Sequence, residues 1–201
     1  MTTDSLFEQL KHPNPHLRER AMMEIAESRD RNTIPRLISI LDQEDVIYRR
    51  AAVKVLGVIG FDAIPAVVES LLQSENVTVR GSAAKALAQI AINYPDVSFP
   101  EAGLQGLKAA INDPNPVVHI ASVMALGQMG SAAFDILVEA LQTTDNIAAQ
   151  VAIVNALASV GNPKCVEVLT KFASDESVDS YVRESATSAL SRLDLVMNFK
   201  R

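Results

Sequence analysis

This chain has one cysteine, no tryptophan, nine aromatic residues in all and no excess of positive charge. Each shortage excludes something. A lone thiol, Cys165, cannot close an internal disulfide, so the sequence reads as a protein of a reducing, cytoplasmic compartment. With aromatics at only 4%, the core has to be built from Ala, Leu, Val and Ile, which are small enough to let helices approach closely. A net charge of −6 argues against nucleic acid as a partner, because neutralising phosphates needs a basic face, and the short basic end at Lys200 and Arg201 does not reverse it. No uninterrupted apolar run reaches the roughly 18 residues that cross a bilayer, and the opening MTTDSLFEQLKHPNP lacks the basic start and apolar stretch of a signal peptide. No membrane partner is expected.

What the chain does have is one phrase repeated. VIYRRAAVKVLGVIG begins at Val46, VTVRGSAAKALAQIA at Val77, PVVHIASVMALGQMG at Pro116, IAAQVAIVNALASVG at Ile147 and SYVRESATSALSRLD at Ser180. A degenerate copy, HLRERAMMEIAES, starts at His16. Aligned on Arg18, Arg49, Arg80, His119, Gln150 and Arg183, the copies are 31, 31, 39, 31 and 33 residues apart. Such a period marks a solenoid, in which each unit buries its apolar face only against its neighbours. The expected fold is all-α, an α-solenoid of about six helical-hairpin repeats forming one domain over 1–201. Its parts are a capping repeat at 1–30, repeats at about 31–61, 62–92, 100–130, 131–161 and 162–194, and a tail at 195–201.

Within a repeat, a short helix A leads through a polar link into helix B, whose apolar stripe is typified by Ala52, Val53, Leu56 and Ile59. Four residues ahead of each register position stands Asn14, Asp45, Asn76, Asn115, Asn146 or Asp179, placed to cap the first turn of helix B. Gly60, Gly130 and Gly161 fall where a residue of positive φ would end it. The register residues themselves read as structural donors to neighbouring acids or carbonyls. The segment INYPDVSFPEAG, which accounts for the long spacing, reads as a loop whose Tyr94 and Phe99 cover the adjacent core or, alternatively, as a projecting contact loop.

Chemistry by this chain alone has little support. His12, His16 and His119 are dispersed, no metal-binding or nucleophile motif appears, and Cys165 has no adjoining base, so neither a catalytic nor a metal site is assigned. The variable rows of helix B are the candidate binding surface. One row reads Glu19, Arg50, Gly81, Ile120, Val151, Glu184, and the row four residues on reads Met23, Lys54, Lys85, Met124, Asn155, Ser188. Together with Gln89 they give a candidate concave-face site of Arg50, Lys54, Lys85, Gln89, Ile120, Met124, Val151 and Asn155, basic at one end and apolar at the other. That chemistry suits an amphipathic ligand bearing carboxylates or the acidic helix of a partner; an ordinary solvated face is the alternative.

The pattern filled by DVIYRRAAVKVLGVIG and NPVVHIASVMALGQMG resembles the HEAT-like repeat of phycobilisome lyases of cyanobacteria, over nearly the whole chain. Segments such as LFEQLKHPNPHLRERAM and YVRESATSALSRL most resemble the Z-type phycoerythrin-associated members. The resemblance implies a right-handed solenoid. It also implies a biogenesis factor that binds an α or β phycobiliprotein subunit as a chaperone-like or lyase-accessory protein while a linear tetrapyrrole (bilin) is attached, alongside a second HEAT-like lyase subunit. A bilin would be a transient ligand and not a tightly bound cofactor, and the acceptor thiol would belong to the client, so the chain reads as a non-catalytic partner of a lyase. A related HEAT-like group partners iron–sulfur assembly scaffolds, which leaves a scaffold with no pigment role as the alternative.

Overall fold

A computed structural model describes residues 2–199. Twelve α-helices and no strands are present among them. They are α1 (Thr3–Gln9), α2 (Pro15–Glu27), α3 (Thr33–Ile40), α4 (Val46–Ile59), α5 (Ile64–Gln73), α6 (Val77–Asn93), α7 (Glu101–Ala110), α8 (Pro116–Gln128), α9 (Phe134–Thr143), α10 (Ile147–Val160), α11 (Lys164–Ser174) and α12 (Ser180–Phe199). Two short 3₁₀ turns, Gly60–Ala63 and Gly130–Ala133, join α4 to α5 and α8 to α9. Residues 195–199, read from sequence as a tail, continue α12, while Lys200 and Arg201 lie outside the described residues.

The helices form two compact units that divide between Gly106 and Leu107, inside α7. In the first unit α4 packs between α2 and α6, with α1, α3 and α5 laid against these B helices. The second repeats the plan, with α10 between α8 and α12, and α9 and α11 alongside. The middle B helix of each unit, α4 or α10, therefore meets a neighbour on both sides as well as its own A helix. That explains why its buried face is wider than a single stripe: on α4, Tyr48, Ala51 and Val55 are buried together with Ala52, Leu56 and Ile59, while Val53 is only half-buried. Alanines on the flanks of the B helices, such as Ala84 and Ala125, are fully buried where helices touch.

All six expected caps form. The side-chain oxygens of Asn14, Asp45, Asn76, Asn115, Asn146 and Asp179 accept from first-turn backbone N–H groups at 2.8 to 3.1 Å. Asp45 takes two, from Ile47 and Tyr48. Its replacement by alanine should lower the unfolding free energy by about 1 kcal/mol, the usual worth of an N-cap, in a urea titration. No loss would mean that packing alone fixes the start of α4.

The register residues have a more local task than a ladder running from repeat to repeat. Arg18, Arg80 and Gln150 each donate to a carbonyl of their own A–B link, and Arg49 does the same to Gln43. In three of these the distances are 2.9 Å: Arg18 to Pro13, Arg80 to Ser74 and Gln150 to Thr144. His119 keeps the device through Nδ1 and the Ile111 carbonyl. The clamp carries through the fourth and fifth repeats, because a side-chain N–H is all it needs. Arg183 of the last repeat does not share it: its buried Nε has no hydrogen-bond partner among the described residues.

The long spacing after α6 is a lid over the core. Tyr94 Oη donates to the Val58 carbonyl at 2.7 Å, its ring lies 5.2 Å from Phe61, and buried Phe99 meets Phe61 edge-on at 6.2 Å. At the N-terminus, Arg36 lies 3.9 Å over the Phe7 ring and pairs with Asp4, fastening α1 to α3.

Val46–Gln73 has the length and mean hydropathy (1.9) of a membrane span, which counting uninterrupted apolar runs had not suggested. Gly60, at φ 78° and ψ −138°, divides it into α4 and α5. Just over half of its most apolar window (56%) is buried in the packing just described.

Candidate functional site

The rows that vary between repeats come to the surface in one depression of the first unit and one of the second; a further hollow of the second unit, about 420 Å³ among α8, α9 and α10, takes only Ile120 from them. In the first unit, a depression of about 500 Å³ lies among α2, α4 and the end of α6. Arg50, Lys54 and Gln89 line it together with Met22, Met23, Ile47 and Val58. Met23 and Ile47 are both 46% exposed, an unusual display of apolar side chains beside cations. The floor is thus more apolar than the sequence rows had suggested, since Met22, Ile47 and Val58 join Met23. Among the described residues no carboxylate lies within ion-pair distance of Arg50, Lys54 or Lys85. Glu19 lines the same hollow.

Gly57 shapes this site. A Cβ there would stand 2.3 Å from Gln89 Cγ, so the absence of a side chain lets Gln89 lie flat against α4. Gln89 Nε2 in turn donates to Asn93 Oδ1 at 2.9 Å, turning both amides toward the hollow they line. Lys85 is exposed but lines neither depression. It belongs to the row in sequence, yet α6 contributes its last turns, Gln89 and Asn93, and not its middle.

In the second unit, Ile120, Met124, Val151 and Asn155 line a shallow hollow of about 370 Å³ between α8 and α10, together with Gln128, Ala148, Ala152 and Ser159. No charged residue lines it, and neither α8 nor α10 contains an Asp, Glu, Lys or Arg. Met124 is 63% exposed at its mouth. Asn155 is not free: its Oδ1 accepts from Arg192 of α12, whose other nitrogen donates to Ser188 Oγ at 3.0 Å.

Sequence reading missed Arg192, although a simple step finds it. Continuing the two rows by four residues gives Glu27, Val58, Gln89, Gln128, Ser159 and Arg192. Four of these line the two hollows and the last touches Asn155. Helical periodicity puts residues i, i+4 and i+8 along one face, so this third row was as readable as the first two.

Cys165 is fully buried near the start of α11, and burial pushes its thiol above the ordinary cysteine range. Among the described residues no group of three or more His, Cys, Asp or Glu side chains is placed to hold a metal ion.

Matches to the HEAT repeats family run over residues 3–88, 64–148 and 104–191. The chain is 55% identical, over all 201 residues and the full length of the relative, to the uncharacterized phycocyanin operon protein Z of Pseudanabaena tenuis (strain PCC 7409). The chain belongs to the phycobilisome-lyase-type HEAT-repeat family. A second member, the bilin biosynthesis protein CpeZ of Synechococcus sp. (strain WH8020), is 30% identical over 178 residues, which cover 86% of this chain and 95% of the relative. Among solved structures, the complex of CpcE and CpcF of phycocyanin lyase from Nostoc sp. PCC7120 shares the fold, with a TM-score of 0.51 at 18% identity over 77% of this chain and 96% of that one. The HEAT-repeat assignment makes the structure an all-α solenoid type, as the 31-residue spacing had indicated.

Proposed function

We propose that this HEAT-repeat chain is a phycobiliprotein biogenesis factor. In this reading it binds an α or β phycobiliprotein subunit in the cytoplasm, as a chaperone-like or lyase-accessory protein, while a bilin is attached to the client's cysteine. The observation that carries the reading is the full-length relationship, at 55% identity, to a protein of the phycocyanin operon. The surface chemistry agrees with it. A bilin has a long apolar conjugated body and two propionates, and the first unit sets Arg50 and Lys54, without an ion-pair partner among the described residues, beside Met22, Met23 and Ile47. Guanidinium and ammonium groups of this kind hold carboxylates, while thioethers adapt to flat apolar bodies. The hollow at Ile120, Met124 and Val151 adds apolar surface in the second unit. Cys165, buried and with its thiol held protonated, leaves the covalent step to the client's own cysteine and to a second, lyase-type HEAT subunit.

Co-expression with phycobiliprotein subunits tests the proposal. A client kept soluble without bilin indicates the chaperone-like role, and faster covalent bilin addition in the presence of a lyase indicates the accessory role. Neither effect with any subunit would overturn it. The site is tested separately. Arg50→Glu with Lys54→Glu should weaken client or bilin binding by about tenfold, as expected for loss of charge-assisted contacts, with the melting temperature unchanged. Lys85→Glu should have a much smaller effect, because Lys85 lies outside the hollow.

A further inference from the structure

Among the described residues, Arg192 reaches a side chain that lines the second unit's apolar hollow and has no carboxylate beside it. Among the described residues its only hydrogen-bond partners are neutral, Ser188 Oγ and Asn155 Oδ1, and no acidic oxygen lies within ion-pair distance. Its side chain is exposed, and a guanidinium has five N–H donors, so it has donors to spare. Through Asn155, which lines the hollow, that charge stands at the rim of an otherwise uncharged surface made by Ile120, Met124, Val151 and Ala152. An apolar bed with one unneutralised guanidinium at its rim is the complement of an apolar molecule that carries a carboxylate.

We propose that the second unit holds an amphipathic carboxylate in its own right, with the apolar body on Ile120, Met124 and Val151 and the acid on Arg192. The inference rests on the bilin-binding reading above and deepens it: the ligand's acid groups are recognised in this unit and not at Arg50 and Lys54 alone. Arg192 is the specificity-determining residue. A guanidinium offers two parallel N–H groups to one carboxylate, which lysine cannot match. The bond to Asn155 holds the fork at the rim ahead of binding, reducing the ordering that binding would otherwise require.

The test uses the full chain and two probes, biliverdin as a free diacid and its dimethyl ester, followed by the change in their visible absorbance. Arg192→Gln should weaken diacid binding by about tenfold, the size of one charge-assisted contact at a partly exposed site, and leave ester binding unchanged. Arg192→Lys should fall between the two. Asn155→Ala, which removes the tie between α10 and α12 but keeps the charge, should retain the preference for the diacid; a purely structural Arg192 would make Asn155→Ala and Arg192→Gln behave alike. Equal weakening of acid and ester by Arg192→Gln would overturn the proposal. So would an unchanged diacid affinity in Arg192→Gln when Arg50→Glu with Lys54→Glu lowers it, a result that leaves the proposed function standing. Failure of the wild-type chain to bind either probe would overturn this inference together with direct bilin binding, while client binding is decided separately by the co-expression.

Discussion

Replacing Gly60 with alanine is expected to destabilise the first unit by about 3 kcal/mol or more, and the same replacement at Gly130 by only about 1 kcal/mol. Both glycines end a B helix with positive φ, 78° and 62°. They differ in what surrounds them. Gly60 has ψ −138°, a conformation reserved for glycine, and a Cβ there would lie 2.7 to 2.9 Å from the Tyr94 ring. That ring cannot retreat cheaply, since its hydroxyl donates to Val58 O and its face rests on Phe61. At Gly130 a Cβ would meet nothing within 4 Å, leaving only the backbone cost. Urea unfolding of the two variants measures the difference. Equal losses would show that Tyr94 moves freely and that the lid after α6 is not fixed as described.

The parts of this structure that were legible in the sequence are those decided within one repeat. Asn14, Asp45, Asn76, Asn115, Asn146 and Asp179 act on the N–H groups two or three residues ahead, so no knowledge of tertiary packing was needed to find them. The positive-φ glycines are equally local. The register arginines were readable as structural residues but not in their geometry, since a bond to a carbonyl six residues back depends on how the link folds. Contacts made across a repeat were the least visible. Tyr94 to Val58 spans 36 residues and Arg192 to Asn155 spans 37, and no periodicity states which partner a long side chain will choose. The candidate site shows the same limit. Seven of its eight residues line the two hollows and Lys85 lines neither, because helical phase fixes a side chain's row but not how far along that row the neighbouring helix makes contact.

Met124→Glu should lower client or bilin capture by more than tenfold while shifting the melting temperature by no more than a few degrees. Met124 stands 63% exposed at the mouth of the second hollow, so in the free protein a carboxylate there remains hydrated. Surface substitutions of this kind usually fall within about 0.5 kcal/mol of neutral. On binding the balance reverses. The apolar contact of the methionine, about 1.5 kcal/mol or more if it becomes fully covered, is lost, and a charge has to be stripped of water against Ile120 and Val151. For a ligand that brings its own carboxylates, repulsion adds to both. Leu126→Ala on the same helix is the control, because Leu126 is fully buried on the opposite side of α8 from the hollow. It should destabilise the fold by about 3 kcal/mol, and affect capture only through the folded fraction. If Met124→Glu leaves capture intact, the exposed row of α8 and α10 is a solvated face and the client meets the chain elsewhere. If instead it unfolds the second unit, Met124 belongs to the core and the hollow is a packing defect, not a binding surface.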